Sequence, residues 1–418
     1  MIYRNYLEPL CQNAKEASKK LANLSTAVKN NVLFTVAELL VKHEKEILQE
    51  NLKDLENARG QNLEAAKIER LTLNRKRIEE MAAGLKEVAA LPDPIGEILQ
   101  MQKRPNGMMV GQMTVPIGLI AIIFESRPNV TIDSASLCLK SGNGVILKGG
   151  SEALHSNQKL IGLFSEALKA YNIPEGAVTF INQNKREVTA ELLKMDNFID
   201  LVIPRGGEGL IKMVTETSRI PVIKHDKGLC HIYVDSEANL EMAMKIALNA
   251  KTQRPGTCNA METLLIHQKS APLLLPDLLD KLNQKGVEIR GCPETQKYGE
   301  FVKPANETDY HTEFLDLILS IKVVSSIEEA MIHIDKYGSC HTESIITESY
   351  SQGIRFINEV DASAVMINAS TRLNDGYQFG LGAEIGISTS RIHARGPMGL
   401  KELTSKKFVV FGSGQIRE

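Results

Sequence analysis

Apolar residues recur at helical spacing through the first quarter of the chain. They lie three or four positions apart, and Pro92 ends the clearest run. The repeated positions in this run are Ile78, Met81, Leu85 and Val88. Because residues 1 to 91 are also rich in Ala, Leu, Glu and Lys, we expect a series of helices there that packs on a sheet formed later in the chain.

After residue 116 the pattern changes to short apolar runs separated by amphipathic segments. Pro128 opens the first amphipathic segment, Ser141-Gly142 ends it, and Ser151 can cap the next one. The predicted strands are 117–124, 144–150, 177–182, 198–204 and 221–225, followed by 229–234, 262–267, 318–324, 343–347 and 363–368. Apolar strands that alternate with helices predict parallel sheets covered on both faces, and therefore two α/β domains.

Two extended stretches outside these series flank the dipeptide Asn106-Gly107, which predicts a two-residue hairpin turn. The last residues, 405–418, also have an extended pattern and could pair with the hairpin or across a subunit boundary. Because a lone hairpin is only marginally stable, we expect this one to lean on another part of the assembly, such as a second subunit.

Composition narrows the class of protein. The chain has 418 residues, which suggests about two or three domains. Its 49 Lys and Arg residues nearly balance its 51 Asp and Glu residues, so no overall field would draw it to nucleic acid or to an anionic membrane. The start lacks a signal or transit pattern, and no apolar run reaches the roughly 18 residues of a membrane span. We therefore expect a cytoplasmic protein.

The six cysteines are scattered without paired spacing, which predicts neither a zinc site nor a disulfide framework. We expect free thiols and no metal. Cys138 lies in a predicted helix and Cys230 in a predicted strand, and both positions favour a buried core role. Cys258 instead lies in a loop, four residues after Arg254, where a thiolate would be stabilised. This loop alone leaves two readings open, a reactive thiol or a small residue in a turn.

Phosphate-binding loops of the usual kinds, GxGxxG and GxxxxGK[ST], are absent from the strand-to-helix junctions. Two other junctions could hold phosphate. Arg205, Gly206 and Gly207 end one strand and begin a helix, whose first N–H groups attract anions. Lys148 ends another strand, where its ammonium could reach a ribose or a phosphate. Each junction is equally consistent with a plain turn.

Several separated motifs, in a fixed order, carry a family resemblance. They are "ESRPNVTIDSASLCLKSGNGVILKGGSEA", "RGGEGL", "KHDKG", "QRPGTCNAMETLL", "HTEFLDL" and "FGLGAEIGISTSRIHARGPMGLKEL". The order of elements resembles the aldehyde dehydrogenase superfamily, and the motifs resemble its γ-glutamyl phosphate reductase (glutamate-5-semialdehyde dehydrogenase) branch essentially end to end. This resemblance implies an aldehyde dehydrogenase-like α/β fold, with two α/β domains built on parallel sheets and a small β oligomerisation arm.

The resemblance also implies domain boundaries and site residues. The cofactor-binding domain would comprise 1–96 and 115–227, the arm 97–114 and 405–418, and the catalytic domain 228–404. Cys258 matches the nucleophile, and its own backbone N–H would be one oxyanion donor. Lys148 matches the lysine on the cofactor's adenosine ribose, and Glu313 the glutamate on the nicotinamide ribose. Gly206 and Gly207, beside Arg205, match the loop at the pyrophosphate.

Departures from the superfamily pattern refine the expected chemistry. The "ELGG" glutamate that activates water in hydrolytic members is absent, and His225 and Asp226 stand about where it would be. This change favours acyl phosphate chemistry over hydrolysis. The usual oxyanion-hole asparagine is also missing, and Asn129, just past Pro128, is the candidate replacement. Ser151 stands where many relatives that prefer NAD carry a glutamate, which leaves room for NADPH, although Glu152 next door weakens this inference.

The implied activity is the NADPH-dependent reduction of L-glutamyl 5-phosphate to L-glutamate 5-semialdehyde through a cysteine thioester, the second step of proline biosynthesis from glutamate. Candidates for binding its phosphate and α-carboxylate, each of which could instead be a surface residue, are Arg254, Lys224, His225, Arg127, Arg391 and Arg395. We expect a homo-oligomer and transient contact with glutamate 5-kinase. Two alternatives remain: an aspartyl phosphate or acyl-CoA substrate, and a cofactor-binding protein without catalysis.

Overall fold

The computed structural model describes residues 2–224 and 227–417, which form two compact units. The first unit contains residues 2–224, 380–386 and 398–417, and the second contains 227–379 and 387–397. None of the helices in this described part of the chain is long and apolar enough to cross a membrane.

Helices precede and surround the strands of the first unit. Its helices are α1 (Ile2–Leu21), α2 (Thr26–Lys42), α3 (Glu44–Gly60), α4 (Ala65–Leu71), α5 (Arg75–Ala90), α6 (Pro128–Lys140), α7 (Leu154–Ala170), α8 (Arg186–Leu192) and α9 (Glu208–Thr217). Its strands are β1 (Ile98–Lys103), β2 (Met109–Pro116), β3 (Leu119–Phe124), β4 (Gly144–Lys148), β5 (Val178–Phe180), β6 (Leu201–Arg205) and a C-terminal strand (Thr404–Phe411). Short 3₁₀ turns lie at Ser151–Ala153, Glu175–Ala177 and Lys401–Leu403.

The predicted N-terminal helices are confirmed, and most of them pack on other helices. In α5 the four apolar positions named above are buried, and Asn74 caps the helix by accepting the Arg77 N–H at 2.9 Å. Helix α1 packs on the strands, with Leu7, Cys11 and Ala14 against the sheet core. Helices α2, α3 and α5 instead contact α6 and α7, so they form an outer layer over the helices that cover the sheet.

The parallel sheet of the first unit has the strand order β5-β4-β3-β6. Every residue of β3 is buried, as expected for a strand covered on both faces. The predicted strands at 117–124, 144–150, 177–182 and 198–204 are confirmed with shorter bounds. The predicted strand at 221–225 is wrong in its described part, where Val222 makes only an isolated bridge to Val202. Pro221 has no N–H to donate to a ladder, which limits pairing there.

The start of α7 is capped differently from the prediction. Ser151 begins a 3₁₀ turn, and its side chain caps no helix. Instead Asp54 of α3 accepts the N–H groups of His155 at 3.1 Å and Ser156 at 2.8 Å, and the Ser156 hydroxyl at 2.7 Å. A carboxylate from a distant helix therefore satisfies the first turn of α7.

An antiparallel sheet, with the order β1, β2 and then the C-terminal strand, also belongs to the first unit. Phe408 pairs with Gln112 and Val410 with Val110, which confirms that the chain terminus joins the hairpin. The turn itself differs from the two-residue prediction. Gly107 N–H donates to Arg104 O at 2.8 Å, and Gly107 has a φ of +89°. Pro105 fits the second position of a type I turn, so the loop becomes one residue longer.

The second unit is an α/β layer structure. Its strands are β7 (Cys230–Val234), β8 (Met261–His267), β9 (Glu288–Gly291), β10 (Lys303–Pro304), β11 (Ile318–Val324), β12 (Thr342–Ile346), β13 (Ala364–Ile367), β14 (Ile387–Ser388) and β15 (Gly396–Pro397). Its helices are α10 (Leu240–Thr252), α11 (Ala271–Gln284), α12 (Pro293–Gln296), α13 (Glu307–Tyr310), α14 (Ile327–Tyr337) and α15 (Tyr350–Glu359), with a 3₁₀ turn at Thr371–Leu373.

The parallel sheet of this unit has the order β10-β9-β11-β8-β7-β12-β13. Alternate residues of β7 face opposite layers: Ile232 and Val234 join the core formed with α10 and α11, and Tyr233 joins the core formed with α14 and α15. The predicted strands of this region are confirmed. Strands β9 and β10 are too short and polar to be recognised from the apolar pattern.

The boundary of the catalytic domain, predicted as 228–404, differs in the structure. Residues 380–386 and 398–404 belong to the first unit. Backbone bonds join these two segments to each other: Ile385 donates to Met398 O at 2.9 Å, and Met398 donates to Gly386 O at 2.7 Å. The Asn143 side chain, in the rest of the first unit, donates from Nδ2 to Leu403 O at 2.7 Å. The arm predicted at 97–114 and 405–418 corresponds to the antiparallel sheet of the first unit.

Candidate active site

Cys258 lies in the loop that joins α10 to β8, at the amino end of β8. The side chain is half-buried. Local bonds keep the loop compact: Thr257 Oγ1 donates to Arg254 O at 2.9 Å, and Ala260 N donates to Thr257 O at 3.0 Å. The loop reading of the sequence is therefore confirmed, and the thiol sits on a short, well-bonded turn rather than inside a regular element.

Gly228 packs directly against the backbone of Cys258. A side-chain carbon at position 228 would lie 1.9 Å from Cys258 O and 2.6 Å from its Cα, so only glycine fits. The Gly228 N–H donates to Glu313 Oε1 at 2.9 Å. The structure thus brings together two residues predicted from separate motifs, Cys258 and Glu313, through a glycine that sequence reasoning did not single out. Its only signal was its place at the end of "KHDKG".

A second thiol lies behind this loop. Cys230 is buried, and its Sγ donates to Cys258 O at 3.2 Å and lies 3.6 Å from His341 Nδ1. Burial raises the pKa of Cys230 well above its usual value, so this group stays a neutral thiol. Cys138 is buried in α6 and its pKa is raised for the same reason. The core reading of both cysteines is confirmed.

Arg372, absent from the sequence-based candidates, contacts the same loop. Its Nε donates to Gln253 Oε1 at 2.9 Å, and its Nη1 donates to Asn259 Oδ1. These partners flank the loop that carries Arg254 and Cys258. The signal in the sequence was weak, a single arginine in the polar segment "NASTRLND" that follows a predicted strand.

A buried ion pair joins the two elements at the ends of the cysteine loop. Lys251 Nζ, in the last turn of α10, lies 2.7 Å from Glu262 Oε2 at the start of β8, and both side chains are almost fully buried. Glu262 Oε1 accepts the Leu315 N–H at 3.1 Å. Burial raises the pKa of Glu262 to about 7, against the effect of Lys251. This carboxylate therefore ties the cysteine loop to the loop that carries Glu313.

Two further predicted cations lie together elsewhere in this unit. The guanidinium of Arg391 pairs with Asp361 Oδ2, and Arg395 Nη2 lies 2.7 Å from Asp361 Oδ1. Their charges act on Cys340, whose pKa is raised by burial and by Asp361 while the two arginines oppose the shift. The structure places Arg391 and Arg395 on one shared carboxylate, which neutralises part of their charge.

Apart from Glu313, which lies in the second unit, the predicted cofactor residues lie at or just after the carboxyl ends of β4 and β6 in the first unit. Lys148 ends β4, is buried, and donates from Nζ to Gly149 O at 2.9 Å. Burial lowers its pKa, and the nearby Glu152 partly offsets this effect. Glu152 Oε1 accepts the Ser126 N–H at 2.7 Å and the Ser126 hydroxyl at 2.6 Å. Ser151 is exposed beside this group.

The glycine turn after β6 is built around Glu125. Gly207 is the N-cap of α9 and donates its N–H to Glu125 Oε2 at 3.0 Å. A side-chain carbon on Gly206 would meet the same oxygen at 2.6 Å, so Glu125 would have to move to admit any larger residue. Arg205 ends β6, and its guanidinium lies against Gly386. A carboxylate therefore occupies the helix end at which a pyrophosphate was predicted.

Asn129, the candidate oxyanion donor, lies in the first turn of α6 and donates from Nδ2 to Asp133 Oδ2 at 2.9 Å. Burial raises the pKa of Asp133 to about 6, with Asn129 and Arg205 opposing the shift. Arg127 is the N-cap of α6, and Lys224 is the last residue of the first described segment, 2–224; both side chains are half-buried. His225 lies outside the described residues.

The residues that could hold a nicotinamide cofactor are a cationic strand end and a glycine turn at a helix start, and their chemistry suits a ribose and a diphosphate. Among residues 2–224 and 227–417, no group of three or more His, Cys, Asp or Glu side chains is placed to hold a metal ion.

One parallel α/β unit carries a cysteine in a loop, and the other carries a lysine and a glycine turn at strand ends. Together these features define the class of protein. Residues 4–298 match the model of the "Aldehyde dehydrogenase family", and the chain belongs to this family. A solved structure of γ-glutamyl phosphate reductase from Thermotoga maritima superposes with a TM-score of 0.96, at 48% identity over 99% of this chain and 100% of that one.

Close relatives in sequence belong to the same branch. The chain is 56% identical to "Gamma-glutamyl phosphate reductase" of Thermodesulfovibrio yellowstonii, over 97% of each chain. It is also 56% identical to the protein of the same name from Carboxydothermus hydrogenoformans, over 98% of each. Within the aldehyde dehydrogenase family, this chain is a member of the γ-glutamyl phosphate reductase branch.

Proposed function

We propose that this protein reduces L-glutamyl 5-phosphate to L-glutamate 5-semialdehyde, releasing phosphate, with NADPH as the reductant. This would be the second step of proline biosynthesis from glutamate. The proposal rests chiefly on the full-length similarity to proteins named for this reaction. The position of Cys258 on a compact, half-buried loop adds independent support.

Cys258 is the proposed nucleophile. Its thiolate attacks the acyl carbon, a C–S bond forms, and the bond from that carbon to the phosphate oxygen breaks with its electron pair on phosphate. The backbone N–H of Cys258 is one donor to the developing oxyanion, and Asn129 is the proposed second donor. The absence of an "ELGG" glutamate supports this route, because a thioester that must receive hydride gains from the lack of a water-activating base.

The nicotinamide cofactor, when bound, supplies the hydride that converts the thioester to the aldehyde and frees the thiolate. Lys148 would hold its adenosine ribose, Glu313 its nicotinamide ribose, and Gly206 and Gly207, with Arg205, its diphosphate. One observation favours NADPH over NADH: Ser151 brings no negative charge to the 2′-phosphate. The neighbouring Glu152 carboxylate, which accepts two hydrogen bonds from Ser126, keeps its charge and acts against this preference.

The phosphate and α-carboxylate of the substrate require cations. Arg254 is nearest to Cys258 along the chain, whereas Arg391 and Arg395 share Asp361. Lys224, Arg127 and His225 remain candidates for the α-carboxylate. An aspartyl phosphate or an acyl-CoA thioester would use the same thiol chemistry, so chain length and leaving group have to be tested directly.

The test is a steady-state reverse assay on glutamate semialdehyde, with NADP⁺ or NAD⁺ and with or without phosphate. We expect nucleotide reduction that depends on phosphate and prefers NADP⁺, and that disappears in folded Cys258→Ser and Cys258→Ala. Turnover that persists in these variants would exclude the cysteine mechanism. Aspartate semialdehyde, arsenate and CoA in the same assay separate the rival substrates. Nucleotide binding without thiol reactivity would instead indicate a non-catalytic protein.

We further propose that the antiparallel sheet forms a homo-oligomer, as the family resemblance implies. The acyl phosphate hydrolyses readily in water, so direct transfer from glutamate 5-kinase through transient contact would protect it.

A further inference from the structure

Arg372 holds both ends of the loop that carries Cys258. Through Nε it binds the side chain of Gln253, and through Nη1 that of Asn259. Gln253 precedes Arg254, and Asn259 follows Cys258. A single guanidinium is thus fixed beside the proposed nucleophile by two side-chain contacts more than one hundred positions away in sequence.

The surrounding contacts keep this guanidinium in place. Asn259 is buried and donates from Nδ2 to Asn374 O at 2.9 Å, which ties the cysteine loop to the segment after Arg372. Ser370 Oγ donates to Asn249 Oδ1 at 2.8 Å and accepts the Arg372 N–H at 3.4 Å. These bonds hold the segment 370–374 on α10 and on the cysteine loop, so Arg372 is preorganised rather than a mobile surface charge.

Arg372 lies near groups of both charges. Burial and the positive charge of Arg254 lower its pKa, while Cys258, Asp375 and Cys230 act in the opposite direction. No ion pair among the described residues includes Arg372 or Arg254. Nη2 of Arg372 makes no hydrogen bond to any described residue. Two guanidiniums near a thiol, one of which can still donate hydrogen bonds from Nη2, favour an anionic ligand.

We propose that Arg372, together with Arg254, forms the phosphate subsite of this enzyme. In the forward direction the two guanidiniums bind the phosphoryl oxygens of the acyl phosphate. As the C–S bond to Cys258 forms and the bond from carbon to the phosphate oxygen breaks, they neutralise the charge that accumulates on the leaving phosphate. In the reverse direction they bind inorganic phosphate for attack on the thioester. The inference rests on the proposed function.

Arg372→Met and Arg372→Lys test this subsite in the reverse assay. We expect the KM for phosphate to rise about 10- to 100-fold in Arg372→Met. The KM values for glutamate semialdehyde and NADP⁺ should stay within about twofold of wild type, since neither ligand uses the subsite. Arg372→Lys should restore part of the phosphate affinity, because the charge remains but the planar fork is lost.

Arg355→Met is the matched control, because Arg355 lies on α15 in the same unit, where it pairs with Glu328 and Glu359. It should leave the KM for phosphate unchanged. If Arg372→Met loses kcat for every substrate without a specific change in phosphate KM, Arg372 only supports the loop and the proposal is wrong. If wild-type protein shows no phosphate-dependent activity at all, the proposed function has failed rather than the subsite.

A binding measurement covers the case in which Arg372→Met folds poorly. Inorganic phosphate should slow the alkylation of Cys258 by iodoacetamide in wild-type protein. Arg254→Met, an exposed substitution, should weaken that protection. If phosphate protects Cys258 as strongly in Arg254→Met and in Arg372→Lys as it does in the wild-type protein, the proposal is wrong.

Discussion

Gly228 shows how a residue without a side chain can determine the geometry of the loop that carries the proposed nucleophile. The space next to it is filled by the backbone of Cys258, and its N–H is used by Glu313. Any larger residue must push the cysteine loop or the Glu313 contact out of place. Because the requirement for glycine is purely steric, a substitution that adds a single carbon is enough to test it.

Gly228→Ala should therefore reduce the catalytic rate by at least about tenfold and destabilise the protein by about 1–3 kcal/mol. The matched control is Gly256→Ala in the same loop, where an added carbon would lie 3.6 Å from Leu315 O, an ordinary contact. Steady-state rates and urea unfolding measure both effects. Equal activity in the two variants would contradict the tight packing at Gly228.

The Lys251–Glu262 ion pair has a different role, because both charges are buried at the base of the same loop. Lys251→Met would leave Glu262 without its cation, which should cost about 3–5 kcal/mol. The double variant Lys251→Met/Glu262→Leu should recover most of this loss, since no charge is left buried. Its kcat should stay low, because the bond to Leu315 is lost. Urea unfolding and kcat together separate these contributions, and a double variant no more stable than the single one would contradict the account.

Asp133 sets a pH dependence in the first unit. Burial raises its pKa from 3.8 to about 6, so the folded protein holds this proton over a range in which the unfolded chain has released it. Stability from this group is therefore lost as the pH rises from about 4 to about 6. Asp133→Asn should be more stable than wild type at pH 7 by about 1–3 kcal/mol and similar at pH 4. The exposed Asp196→Asn is the control, and a constant difference at all pH values would refute this.

Sequence reasoning reached some of these residues and not others for a physical reason. Cys258, Glu313 and Lys148 stand in short motifs that the family resemblance picks out along the chain. Arg372 and Gly228 act only because the fold brings distant segments together; Arg372 lies 113 positions from its partner Asn259. Glu125 was missed for the same reason, since its bond to Gly207 spans 82 positions.

At the scale of elements, the apolar pattern identified the long helices and buried strands but not their ends. Ser151 looked like a helix cap, yet the cap of α7 is Asp54 of α3. Asn106-Gly107 looked like a two-residue turn, yet Pro105 extends it. In each case the deciding contact is either a tertiary hydrogen bond or a neighbouring backbone constraint, neither of which a hydrophobic pattern contains.

The cap on α7 can be tested directly. Asp54→Ala would leave the N–H groups of His155 and Ser156 without an acceptor, which should lower the free energy of unfolding by about 1–3 kcal/mol. Asp54→Asn keeps an oxygen acceptor and should lose less. Glu56→Ala, on the exposed side of the same helix, serves as the control in urea unfolding followed by circular dichroism. An Asp54→Ala variant as stable as Glu56→Ala would show that the cap contributes nothing.

At the scale of the whole molecule, two α/β units were predicted, and the structure has them, but the chain passes between units more often than the sequence suggests. Residues 380–386 and 398–404 return to the first unit, and backbone bonds at Met398 join these two segments to each other. Sequence analysis assigns neighbouring residues to one domain, so it does not detect short segments that belong to the other unit.

The antiparallel sheet of the first unit exposes apolar side chains. Phe408 is 72% exposed and Val410 is 57% exposed on the C-terminal strand, which pairs on one side with β2 and is an edge of its sheet in the described part of the chain. Exposed apolar groups on an unprotected edge strand are unfavourable in a lone chain and typical of an interface. The two residues are two positions apart and share a face.

Phe408→Glu/Val410→Glu should therefore convert the proposed homo-oligomer to single chains, measured by size-exclusion chromatography with light scattering. Since both side chains are exposed, the circular dichroism spectrum should not change. The control is Tyr350→Glu, which places one carboxylate on a highly exposed aromatic position of α15. A wild-type protein with the mass of one chain would refute the oligomer itself. An oligomer that survives the double substitution would place its interface elsewhere, because two buried carboxylates at an apolar contact would cost several kcal/mol per subunit.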